Sequence, residues 1–67
     1  MKLFDLSKGT IFRPLQGVHD ILRAYRVVGK LVDCVVVERV FFASGEWHPT
    51  QESRLFWTTN IDVTVIS

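Results

Sequence analysis

Tyr25-Arg26-Val27-Val28-Gly29-Lys30-Leu31-Val32-Asp33-Cys34-Val35-Val36-Val37-Glu38-Arg39-Val40-Phe41-Phe42 is the stretch whose reading decides the fold. Val and aromatic side chains crowd it, and both suit a pleated, packed surface. Gly29-Lys30 interrupts the run. Gly adopts the positive φ that tight hairpin turns need, so Gly29-Lys30 is read as a type II′ turn. It would join a strand at 24–28 to a longer strand at 31–42. Along the longer strand one face carries Leu31, Val35, Val37 and Phe41, broken by Asp33 and Arg39. The other carries Val32, Cys34, Val36, Val40 and Phe42, broken by Glu38. A strand with one solvated face alternates apolar and polar residues. This one is apolar on both sides, so both faces are expected to meet something.

Upstream, Val18, Ile21, Leu22 and Tyr25 fall at helical spacing. Asp20 sits where a helix N-terminus favours negative charge. One or two helical turns are expected at about 17–23 before the strand. A competing reading runs the helix on to Val28, with Gly29 just past its end. Further back, residues 10–13 form a short strand that stops at Pro14, which lacks the N–H a central ladder requires. Residues 1–9 are a lead-in whose Leu3, Phe4 and Leu6 can pack on the core, with Ser7-Lys8-Gly9 as a turn.

Downstream, Ala43-Ser44-Gly45-Glu46 ends the long strand. Residues 44–52 read as a polar loop holding Trp47, and Pro49 argues against a strand there. Residues 53–58 place Leu55 and Trp57 on one face and Arg54 and Phe56 on the other. Thr59-Asn60 is a turn, since Asn tolerates the left-handed conformation. Residues 61–66 alternate cleanly, with Ile61, Val63 and Val65 inward and Asp62 and Thr64 outward.

These segments predict a mainly β domain of about five strands over residues 10–66, either a small antiparallel barrel or a curled sheet. In strand number and length the layout resembles the small SH3-like barrels. The resemblance is one of architecture and carries no motif and no site residues. At 67 residues the whole chain, 1–67, is one domain. A chain of this size buries only about 60% of its unfolded surface, so a partner or a good core must hold it together. Cys34 is the only cysteine, so an internal disulfide is excluded. Hydrophobic residues make up 48% of the chain against 22% charged. That is a large apolar share for a globule with little interior, and it points to an interface.

Catalysis is not expected. Cys34 with His19 or His48 has the atoms of a thiolate pair, but a cysteine inside a Val-rich strand behaves as a small buried hydrophobe. Neighbouring His19 and Asp20 point in different directions in a strand or a helix. Asp33, Glu38 and Asp62 come with no Gly-rich phosphate loop and no third group. Cys34, His19 and His48 lack metal-ligand spacing, so no metal and no cofactor are expected. No apolar run reaches the 18 residues of a membrane-spanning helix, and no apolar stretch follows the basic start as in a secretory signal. A single cysteine and no export signal favour a cytoplasmic setting.

What remains is contact. Trp, Tyr and Arg dominate interface hot spots. The expected partner-binding residues are Trp47, His48, Arg54, Trp57, Tyr25 and Arg26. They would serve self-association, or docking on a larger protein as an accessory or regulatory piece. The alternative is single-stranded nucleic acid, bound by aromatic platforms beside Arg13, Arg23, Arg26 and Arg54. A net charge of +1, with acidic residues spread along the chain, makes it the weaker expectation. Glu38 and Arg39 interrupt apolar faces, so each is expected near a rim or paired with a neighbour such as Arg26 or Asp62.

Overall fold

The computed structural model describes residues 1–15 and 24–67. The expected helical turns at 17–23, with His19, Asp20 and Arg23, lie outside the described residues. Six strands form one antiparallel sheet: β1 (Ile11–Pro14), β2 (Ala24–Lys30), β3 (Val35–Ala43), β4 (Glu46–Pro49), β5 (Leu55–Trp57) and β6 (Val63–Val65). The order is β4-β3-β2-β1-β6, with β5 beside β3 as well. Long β3 therefore carries β2 on one side and two short strands on the other, β5 along residues 35–37 and β4 along residues 40–43. Among the described residues the sheet is not closed, so the open sheet is formed in preference to the barrel.

The β2–β3 hairpin forms, but it turns later than the sequence suggests. Lys30 still pairs with Val35, and the Leu31 N–H donates to the Cys34 carbonyl at 2.8 Å. The reversal falls on Val32-Asp33. Gly29 instead serves a bulge: Val27 faces Val37 and Gly29 faces Val36, leaving Val28 as the extra residue. A Gly29-Lys30 turn would have set Tyr25 and Val27 against Cys34 and Val32. The register adopted sets Val27 against Val37, so the core sides of both strands coincide. With Ala24–Lys30 extended, the competing helix to Val28 does not form.

β4 is a second correction. Residues 46–49 are not loop but a strand on the edge of β3, with Phe42 opposite Trp47 and Val40 opposite Pro49. Ser44 (φ 54°) and Gly45 (φ 78°) both adopt positive φ, the signature of a two-residue type I′ hairpin turn. Pro49 is tolerated because it ends an edge strand, where its missing N–H breaks no ladder bond.

Both faces of the sheet are covered in part, as the two-sided pattern of β3 required. On one face Phe12, Tyr25, Val27, Val35, Val37 and Val63 pack with Leu3 and Leu6, and Trp57, Ile61 and Phe4 close around them. Leu3 and Leu6 arrive on a single 3₁₀ turn, Leu3–Asp5, so the lead-in is part of the core. The opposite face holds a smaller cluster of Ile11, Ala24 and Val40, with Trp47 against it. Val63 is buried and Ile61 half-buried, as the alternation predicted, but Val65 is exposed. The reason is position: β6 is the outermost strand beyond β1, and the lead-in reaches only its first half.

Candidate interaction surface

The charged residues within the apolar faces are paired. Arg26 and Glu38 stand directly opposite on β2 and β3. The Arg26 Nε and Nη2 each lie 3.0 Å from the Glu38 Oε2, at a half-buried site. Arg39 Nη1 reaches Glu52 Oε1 at 3.0 Å. These contacts pair the charged groups at the sheet surface, and they share no atoms with one another. Asp62 pairs with Lys2 at 3.1 Å, so the strand carboxylates Asp33, Glu38 and Asp62 have separate partners rather than a shared site. A shallow depression of about 240 Å³ is lined by Met1, Asp5, Leu6, Ser7, Thr10 and Val65. It is smaller than an ordinary ligand pocket. Among the described residues no three His, Cys, Asp or Glu side chains gather as metal ligands, and no helix is long and apolar enough to cross a membrane.

Cys34 is buried beside the hairpin turn, one residue before β3 rather than within it. Desolvation raises its thiol pKa, and the adjacent Asp33 carboxylate raises it further by charge and by hydrogen bonding. A raised pKa means less thiolate at a given pH, and thiolate is the reactive form. Native Cys34 is therefore expected to alkylate more slowly than a small-molecule thiol at neutral pH. The rate should climb as pH rises, and Asp33→Asn should speed the reaction. Wild-type labelling as fast as the free thiol would show that Cys34 is accessible and not part of the packed fold.

The expected partner-binding residues do not gather into one patch. Tyr25 lies in the core, with ring centroids 5.8 Å from Phe12 and 5.3 Å from Trp57. Trp57 is half-buried and stands edge-on to both rings. Trp47 is half-buried on the opposite face, edge-on to Phe42 at 5.1 Å. It acts as a lid over Ile11, Ala24 and Val40 and offers its remaining surface beside Phe42. His48 returns to the first face, stacked on Phe41 at 5.6 Å with its Nε2 3.1 Å from the Ala43 carbonyl oxygen. Arg54 is exposed next to β5, whereas Arg26 is held by Glu38 on the other side of β3. Arg13 is half-buried on β1. No continuous stripe of unmatched positive charge runs through Arg26 and Arg54, and Arg23 lies outside the described residues.

Several large apolar side chains are exposed as well. Phe41, Phe42, Leu55 and Phe56 are 46%, 59%, 47% and 63% exposed, all on β3 or the strands beside it. Leu31 and Val32 project from the hairpin tip. The two-sided apolar strand at 31–42 already pointed to an interface, but the individual partner-binding residues named from the sequence were Trp, Tyr, His and Arg rather than Phe41, Phe42, Leu55 and Phe56. Tyr25 and Trp57 join the larger cluster, whereas Phe41, Phe42 and Phe56 belong to neither cluster. Comparison with protein-family models, with curated proteins and with solved structures finds no match for this chain.

Proposed function

We infer that this is a small non-catalytic contact domain that works by self-association. The supporting observation is the set of exposed side chains along β3 and β5: Phe41 and Leu55 on one face, Phe42 and Phe56 on the other. Large apolar side chains left this exposed on a small sheet mark sites of association more often than ordinary monomer surface. Docking on a larger protein as an accessory piece would use the same side chains. Single-stranded nucleic acid is less favoured, because Glu38 matches the charge of Arg26 and the net charge of the chain is only +1. Light scattering over a concentration series tests the reading. Molar mass is expected to rise above the 7.7 kDa monomer as concentration passes through the micromolar range. A mass that stays monomeric up to about 1 mM, a limit set by weak-affinity arithmetic, overturns it.

A further inference from the structure

Among the described residues the sheet has three outer borders, and two of them are guarded. β6 is closed in part by the lead-in: the Val63 N–H donates to the Met1 carbonyl at 2.8 Å, and Lys2 bridges to Asp62. β4 ends in Pro49, which has no N–H to offer, and begins with charged Glu46. Proline and charge are the usual means by which an edge resists pairing. β5 has neither within it. It is Leu55-Phe56-Trp57, apolar on both faces.

The direction of its backbone groups follows from the ladder. The Thr50 N–H donates to the Arg39 carbonyl at 3.0 Å, so Arg39 points its polar groups away from β2, toward the β4–β5 side. Along an antiparallel strand that direction alternates, so Val37 and Val35 also point toward β5 and Val36 points toward β2. β2 agrees: opposite Val37, Val27 turns to β1, its N–H donating to the Thr10 carbonyl and its carbonyl accepting from the Gly9 N–H. Val37–Leu55 and Val35–Trp57 are then the bonded pairs, and Val36–Phe56 is the non-bonded one. The Phe56 N–H and C=O therefore face outward.

We propose that β5 pairs antiparallel with β5 of a second copy, on a two-fold axis at Phe56, so that one continuous sheet runs through the dimer. This rests on the self-association reading and names its surface. A strand crossing a two-fold axis is self-complementary, as an isologous interface requires. Here the symmetry lets the two Phe56 residues exchange both backbone hydrogen bonds. Phe56 meets Phe56 on one face, and Leu55 falls across from the second copy's half-buried Trp57 on the other. Arg54 falls opposite Thr58, diagonal to the second copy's Phe56 ring and within reach of a cation–π contact. No like charges oppose one another, and a net charge of +1 adds little repulsion. The paired segment is short, so association is weak and reversible.

Two measurements test the pairing. In hydrogen exchange followed through the association transition, protection of the Phe56 amide is expected to rise with concentration. The Leu55 and Trp57 amides, bonded to β3, should stay constant. Phe56→Pro removes an N–H that no ladder bond among the described residues uses, and Phe56→Lys places two cations on the axis. Each is expected to leave the circular dichroism spectrum unchanged and to weaken association by about tenfold or more, the proline through the loss of the hydrogen bonds across the axis and the lysine through the lost ring contact and like-charge repulsion. If wild type associates while both variants keep its mass profile, or while Phe56 protection is independent of concentration, β5 pairing is overturned and the contact reading stands. A wild type that never associates overturns both.

Discussion

Phe12→Ala is expected to remove most of the stability of this chain. Phe12 is fully buried at the centre of the larger cluster, between Tyr25 and Trp57. Its ring completes a three-aromatic contact in which every centroid separation lies between 5.3 and 6.1 Å. Truncating a buried Phe to Ala costs about 3–5 kcal/mol, from lost burial and from the cavity left behind. At about 0.05–0.15 kcal/mol per residue, a chain of this length has a total stability of the same order. Urea titration followed by far-ultraviolet circular dichroism should find the variant largely unfolded in dilute buffer. A loss below about 1 kcal/mol, the size of an ordinary surface change, would show that the three rings do not form the core.

Leu3→Ala is the second large effect, and it asks whether the lead-in belongs to the fold. Leu3 is fully buried, and its N–H donates to the Ile61 carbonyl at 2.9 Å. Around it the Phe4 N–H donates to Asn60 Oδ1 at 2.7 Å, and Lys30 Nζ donates to the Phe4 carbonyl at 2.9 Å. The expected cost is about 2–5 kcal/mol, the range for a buried Leu truncated to Ala. Lys2→Ala next door is the control. The Lys2–Asp62 pair is about half exposed, so its loss should cost no more than about 1 kcal/mol. Equal effects of the two substitutions would place the lead-in outside the core.

The two variants differ from the edge variants in kind. Phe12 and Leu3 act on the folding equilibrium, so they reduce association only through the unfolded fraction. Phe56 is on the outside of β5, so its replacement acts on association with little cost to folding. Measuring stability and molar mass on the same samples separates the two effects.

Much of the fold is legible in the residues themselves. The Val-rich, two-sided run of β3 implied a strand packed on both faces, and clusters form on both. The alternation at 61–66 and the apolar lead-in placed Val63, Leu3 and Leu6 inside. Opposite charges in apolar faces implied pairing, and Arg26 meets Glu38. In each case a local rule has one consequence: period two makes a strand, and a charge among apolar neighbours must find a partner.

Tertiary structure decided the rest. Gly29 has the freedom for either a turn or a bulge, and the match of the core faces of β2 and β3 chose the bulge. Pro49 argues against a central strand, yet it ends β4 without strain because among the described residues that strand has a neighbour on one side only. Sequence marks Tyr25, Trp47, Trp57, Phe42 and Phe56 alike as large and apolar. Their fates diverge with what packs over them: Tyr25 and Trp57 lie on the face that Leu3 and Leu6 cover, Trp47 rests on the smaller cluster opposite, and Phe42 and Phe56 belong to neither cluster. Hydrophobicity reports that a side chain gains by leaving water. Which side chains can do so is settled by strand order and register, since 67 residues hold more apolar surface than one sheet can cover.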